Sequence, residues 1–77
     1  MQLSLRQLRY LVAAADAGNV SAAARRLHVS QPSISSAIAE VEAYVGVPLF
    51  VRRHGRGVTL TAAGAKAMAY KSFRNPL

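Results

Sequence analysis

A chain of 77 residues makes one small domain with little room for a deep active-site cleft. Ten Lys and Arg stand against three acids (Asp16, Glu40 and Glu42), and the net charge of +7 points to a polyanionic partner, nucleic acid first. The lack of cysteine excludes a disulfide scaffold and a Cys-based zinc site, and no apolar run approaches the ~18 residues of a membrane span.

The first helix is predicted to begin at Ser4. Ser4 and Gln7 have the S-x-x-Q spacing of a capping box, and Leu3 with Leu8 has the spacing of a hydrophobic staple. Leu5, Leu8, Val12 and Ala15 would form its apolar face, with Arg6 and Arg9 on another. Ala17-Gly18-Asn19 ends it, Gly18 being the natural left-handed residue. The second helix is short, with Ser21 as its expected N-cap, Ala22 to Leu27 as its body, and Arg25 and Arg26 at its end. Ala23 and Ala24 are small enough for another helix to approach closely. The turn after it carries no glycine, so the bend must rest on other residues, and His28 is a tolerable one for positive φ.

Ser30 to Gly46, SQPSISSAIAEVEAYVG, reads as a helix with a prepared start and a marked end. Ser30 caps it, Pro32 suits its first turn, and Gly46 closes it. Val29 and Ile34 have staple spacing, and Ile34, Ile38, Val41 and Val45 make one apolar stripe. Gln31, Ser33, Ser35 and Ser36 crowd the leading end away from that stripe, and no acid appears before Glu40. A helix end that is small, polar and free of negative charge suits a DNA groove.

After Gly46 the period changes from 3.6 to 2. Val47-Pro48 breaks any helix. Leu49 to Arg53 and Val58 to Leu60 read as short strands joined by the glycine-containing tip His54-Gly55-Arg56-Gly57. Thr61 caps a fourth, alanine-rich helix from Ala62 to about Lys71. Gly64 is its weak spot, and Ala65, Met68 and Ala69 form its thin apolar face. The predicted order is helix, helix, turn, helix, two-stranded wing, helix. This is a mainly α winged helix-turn-helix over residues 1–60, followed by a linker helix and tail over 61–77. In such motifs the second helix of the pair enters the major groove.

Gln31, Ser33 and Ser35 are the candidates for reading base edges; Gln pairs with adenine N6 and N7, and Ser with several edges. Pro32 offers apolar contact, for instance to a thymine methyl, besides starting the helix. Ser21 and Ser30 serve as caps and are also suited to donate to phosphate. Arg25, Arg26, Arg52, Arg53 and Arg56 are candidate backbone contacts, sequence-blind suppliers of affinity. A solvated charged face, or a hairpin edge protected from aggregation, is the plainer explanation of the same arginines. An enzyme reading fails on parts. His28, Asp16 and a serine share no sign of a triad's geometry, His28 and His54 are too few and too far apart for a metal, and no Gly-x-x-x-x-Gly-Lys motif is present. No cofactor is expected. The absence of a secretion signal favours a cytoplasmic, nucleoid-associated location.

The chain resembles the LysR-type bacterial transcriptional regulators. The resemblance is carried by LRQLRYLVAAADAGNVSAAARRLHVSQPSIS, then Val41-Glu42, Gly46-Val47-Pro48-Leu49-Phe50, Arg52 and Leu60-Thr61-Ala62-Ala63-Gly64. It spans about Leu3 to Gly64. It implies a winged helix-turn-helix that binds double-stranded promoter DNA as a homodimer or higher oligomer. Dimerisation would run through the linker helix, at Ala65, Met68 and Ala69. Family members usually continue into a large effector-binding domain, which this chain does not contain. Ser36 stands where relatives often carry a base- or phosphate-contacting arginine, and it is counted with the base readers. The alternative is a truncated interaction fragment that pairs with a full-length relative through the 61–71 helix.

Overall fold

The computed structural model describes residues 3–53 and 57–68. It contains α1 (Leu5–Ala17), α2 (Val20–Leu27), α3 (Gln31–Val45), β1 (Phe50–Arg53), β2 (Gly57–Leu60) and α4 (Ala62–Met68). The predicted winged helix-turn-helix is therefore the observed architecture: three packed helices, an antiparallel two-stranded wing, and a fourth helix starting beside them.

Local chemistry sets the helix ends. Ser4 Oγ accepts from Gln7 N at 3.1 Å, and Gln7 Oε1 accepts from Ser4 N at 2.8 Å, completing the capping box. Gly18 and Gly46 close α1 and α3 in the left-handed conformation, at φ 77° and 83°. His28 closes α2 at φ 59° and is the described non-glycine residue with positive φ. Ser30 Oγ accepts from Ser33 N at 3.2 Å, with Pro32 in the first turn of α3.

The N-cap of α2 differs from expectation. Asn19, in extended backbone, accepts from Ala22 N through Oδ1 at 2.6 Å. The helix starts two residues earlier than predicted, because Val20 is buried and belongs to its body. Ser21 thus lies inside the first turn, its hydroxyl free of capping duty.

The core is built from Leu11, Ala13, Ala14, Val20, Ala23, Ala24, Ile34, Ala37, Ile38, Val41, Leu49, Phe50 and Val58. The face of α1 differs accordingly. Leu11 and Ala14 are fully buried, whereas Leu5 is 73% exposed. Alanines on α1, α2 and α3 line this core together, so small side chains carry the close helix contacts. Val12 and Ala15 only flank it. Ile34, Ile38 and Val41 are buried as predicted, but Val45 is 44% exposed. The whole last turn of α3, with Ala43 and Tyr44, lies at the surface and runs past the core.

The wing pairs Phe50 with Leu60, Val51 with Thr59, Arg52 with Val58, and Arg53 with Gly57. Leu49 precedes the first strand instead of opening it. Phe50 and Val58 point into the core, while Val51 and Thr59 face out. Two tethers position the wing. Val58 N donates to Gly18 O at 2.9 Å, at the turn between α1 and α2. The Glu42 carboxylate on α3 accepts from Leu49 N at 2.7 Å and from Phe50 N at 3.1 Å. Truncating Glu42 leaves two part-buried N–H groups without their charged acceptor. Glu42→Ala is expected to cost about 2 kcal/mol, from bonds to charged groups worth about 1.5–3 kcal/mol, and a lowered urea midpoint checks it.

α4 begins where Thr61 Oγ1 donates to Pro48 O at 2.8 Å and accepts from Gly64 N at 3.0 Å. Its core side is Ala63 and buried Gly64; Ala65 is exposed, against the expectation that it touches the core side. Gly64 is a packing contact, not a weak spot. The predicted extension to Lys71 runs beyond the described residues.

Candidate nucleic-acid interface

The leading end of α3 is exposed at Gln31, Pro32, Ser33 and Ser36, and Ser35 is half-buried. The burial of Ile34, Ala37, Ile38 and Val41 holds this end outward, since those residues occupy the opposite face. Both acids of α3 lie further along and are engaged elsewhere. Glu40 accepts a hydrogen bond from Gln7 Nε2 on α1, and Glu42 holds the loop into the wing. Residues 31–36 carry no carboxylate of their own, and Glu40 lines the cleft beside Ser33 and Ser36.

Three hydrogen bonds tie this edge to its surroundings. Gln31 Nε2 donates to Ser21 Oγ on α2 at 2.8 Å. The Ser30 and Ser33 hydroxyls lie 2.9 Å apart at the cap. Arg52 Nη2 donates to Ser35 Oγ at 3.2 Å, so a wing arginine stands beside the helix. Arg25 and Arg26 are exposed in the last turn of α2, directly before the turn into α3. There they also complement the negative end of the α2 dipole. Arg53 is exposed on the wing strand. Ser33 and Ser36 line a cleft between α1 and α3 with Ser4, Arg6, Gln7 and Tyr10, which puts exposed Arg6 beside the reading edge.

The structure thus brings Ser21, Gln31, Ser35 and Arg52 together. Arg56 and His54 at the wing tip lie outside the described residues, as do Ala69 and the side chain of Met68. The sequence offers Ser21 as a cap and phosphate contact and Arg52 as a backbone contact, and gives no sign of their pairing with Gln31 and Ser35. It gives no sign of Glu42 as the wing's tether either. These partners are 10, 17 and 7 to 8 residues apart in the chain, and no local pattern signals them.

Among the described residues no group of three His, Cys, Asp or Glu could hold a metal ion, and no helix is long and apolar enough to cross a membrane.

Residues 5–65 match the family model described as bacterial regulatory helix-turn-helix protein, lysR family. The HTH-type transcriptional regulator TfdS of Cupriavidus pinatubonensis is 59% identical over 63 residues, 82% of this chain and 21% of that protein. The HTH-type transcriptional regulator ClcR of Pseudomonas putida is 58% identical over 62 residues, 80% of this chain and 21% of its own length. The chain therefore spans about a fifth of the length of these curated relatives. The fold is similar to the crystal structure of a CbnR DNA-binding domain in complex with DNA, at TM-score 0.84 and 49% identity, covering 92% of this chain and 78% of that one. Full-length CbnR complexed with its target DNA aligns at TM-score 0.83, also 49% identical, over 92% of this chain and 24% of that one. Composition, fold and the acid-free helix end agree with these likenesses, and the chain belongs to the lysR family of bacterial regulatory helix-turn-helix proteins.

Proposed function

We propose that this chain binds double-stranded DNA sequence-specifically as the DNA-binding part of a transcriptional regulator. Helix α3, ~22 Å long at 1.5 Å per residue, lies in the major groove with Gln31, Pro32, Ser33, Ser35 and Ser36 toward the bases. The wing follows the backbone and minor groove. Arg25, Arg26, Arg52 and Arg53, with Arg56 at the tip and the Ser21 and Ser30 hydroxyls, hold phosphates. The observation that carries this reading is the exposed, carboxylate-free end of α3 with Arg52 hydrogen-bonded alongside at Ser35. The DNA-bound structures of the 49% identical CbnR support it.

A second copy pairs through the linker helix at exposed Ala65, with Met68 and Ala69, and the two copies read half-sites about one or more helical turns apart. Fluorescence anisotropy with random-sequence duplex at low salt tests the reading at its base. Saturable binding supports it; no binding at any protein concentration below aggregation overturns it.

The division of labour gives a sharper expectation. Gln31→Ala is expected to relax preference at particular base pairs, costing roughly 1–3 kcal/mol on the best site. Arg52→Ala is expected to weaken all sequences about equally. Competition binding across a site library distinguishes the two patterns, and identical profiles for both variants would refute the split between reader and anchor.

A further inference from the structure

We infer that Ser21 is a positioning residue that orients the Gln31 amide to read the adenine of an A·T pair, making α2 a determinant of sequence specificity. The inference rests on Gln31 being a base reader, as proposed above.

A glutamine amide carries one acceptor oxygen and two N–H donors, one syn and one anti to the oxygen. Recognition of adenine uses the oxygen, accepting from N6, and one N–H, donating to N7. Those two must lie side by side, so adenine takes Oε1 and the syn N–H. The anti N–H is left over. In this structure Nε2 donates to Ser21 Oγ at 2.8 Å. One N–H so occupied leaves the other, together with Oε1, available to the base.

The bond has a directional consequence. An exposed glutamine rotates freely and can turn its amide over, presenting a donor where an acceptor is needed. A hydroxyl can accept from Nε2 or donate to Oε1, so Ser21 breaks this symmetry once its own proton is committed to a phosphate. It holds nitrogen toward α2 and lowers the ordering cost of binding, as preorganisation does generally. Ser21 is suited to the task because Asn19 performs the N-cap of α2, so its hydroxyl is not used by the backbone of that turn. While accepting from Gln31, the same hydroxyl retains its own O–H to donate. A DNA phosphate at the start of α2 is the natural acceptor for it. A chain from phosphate through Ser21 and Gln31 to adenine then couples backbone register to base reading, and bonds in such chains strengthen one another.

The test uses the whole chain and a duplex site selected from random DNA. Relative affinities are measured for every single base-pair change, with Ser21→Ala, Ser21→Thr, Gln31→Ala and the double variant. Circular dichroism and thermal melts check the fold, which Ser21→Ala is expected to keep because the Asn19 cap is untouched. Gln31→Ala is expected to flatten the preference for A·T at one pair by roughly tenfold, within the range for a bidentate contact. Ser21→Ala should flatten the same pair by about threefold or more and leave the salt slope unchanged, because no cation is removed. Ser21→Thr, which keeps the hydroxyl, should retain the preference. In its A·T preference the double variant should match Gln31→Ala alone, since Ser21 orients the base contact through Gln31, while its affinity for every sequence falls somewhat further because the Ser21 phosphate bond is also lost.

A Ser21→Ala variant that weakens every sequence equally with no change of preference, or that flattens the preference further in the double variant, overturns the inference and leaves the reading of Gln31 standing. Preference for guanine at the pair that Gln31→Ala flattens overturns it too, because the amide would then face the base with its donors. If Gln31→Ala flattens no pair, both the reading and the inference fall.

Discussion

Gly64→Ala is expected to destabilise the domain by about 2–3 kcal/mol, at the upper end of the cost of overpacking a filled interior. Propensity alone predicts the opposite sign, since alanine is favoured over glycine in a helix by up to ~1 kcal/mol. Geometry decides between the two. A Cβ at position 64 would lie 2.1 Å from Leu49 O and 3.0 Å from both Leu49 C and Leu60 Cδ2. The leucine side chain can give way, but the Leu49 peptide cannot. Leu49 O accepts from Thr61 N at 3.0 Å, Leu49 N donates to Glu42 at 2.7 Å, and the Leu49 side chain is buried. To admit one methyl group, α4 must lift away from the core. Domains of this size have a stability of only about 0.05–0.15 kcal/mol per residue, so the urea midpoint should fall plainly. Ala65→Gly, one residue on and exposed, serves as a control and should cost no more than ~1 kcal/mol. A Gly64→Ala chain as stable as the wild type would show that the contact yields.

DNA affinity is expected to fall roughly 150-fold per bound copy between 50 and 200 mM salt. That figure counts the four described arginines, Arg25, Arg26, Arg52 and Arg53, at one phosphate each and a slope of about −0.9 per phosphate in log affinity against log salt, and a fifth contact by Arg56 raises it to about 500-fold. All four arginines are exposed around the leading end of α3 and the wing. The two carboxylates of α3 are hydrogen-bonded at Gln7 and at the Leu49–Phe50 backbone. Two copies on adjoining half-sites would double the slope, so a salt titration also reports how many copies bind. Arg52→Ala should reduce the slope by about 1 per copy. Binding that ignores salt would contradict a backbone-anchored complex.

The helix ends were legible because each depends on groups three or four residues apart. Ser4 with Gln7, Ser30 with Ser33, and left-handed Gly18, His28 and Gly46 all lie where their local sequence puts them. The second helix is the exception. Asn19 and Ser21 are both good capping residues, and only the burial of Val20 settles the choice. The exposed face of α3 was legible for a related reason. The stripe through Ile34, Ile38 and Val41 marks the buried face, and the polar residues off it must face out. The core face of α1 was harder. Leucine outweighs alanine in any pattern of hydrophobicity, yet it is Ala13 and Ala14 that go inside, beside Leu11, while Leu5 stays in water.

The sequence by itself determined the order of elements, their described boundaries to within a residue or two, and which end of α3 is exposed. Capping, backbone conformation and periodicity act over a few residues, and these features follow from them. Tertiary structure alone decided that Arg52 stands at Ser35, that Ser21 holds Gln31, that Glu42 tethers the wing, and that Gly64 lets α4 approach Leu49. Each of these joins groups on different elements. Their encounter depends on how three alanine-lined helices settle against one another, a packing outcome that short-range preferences do not encode.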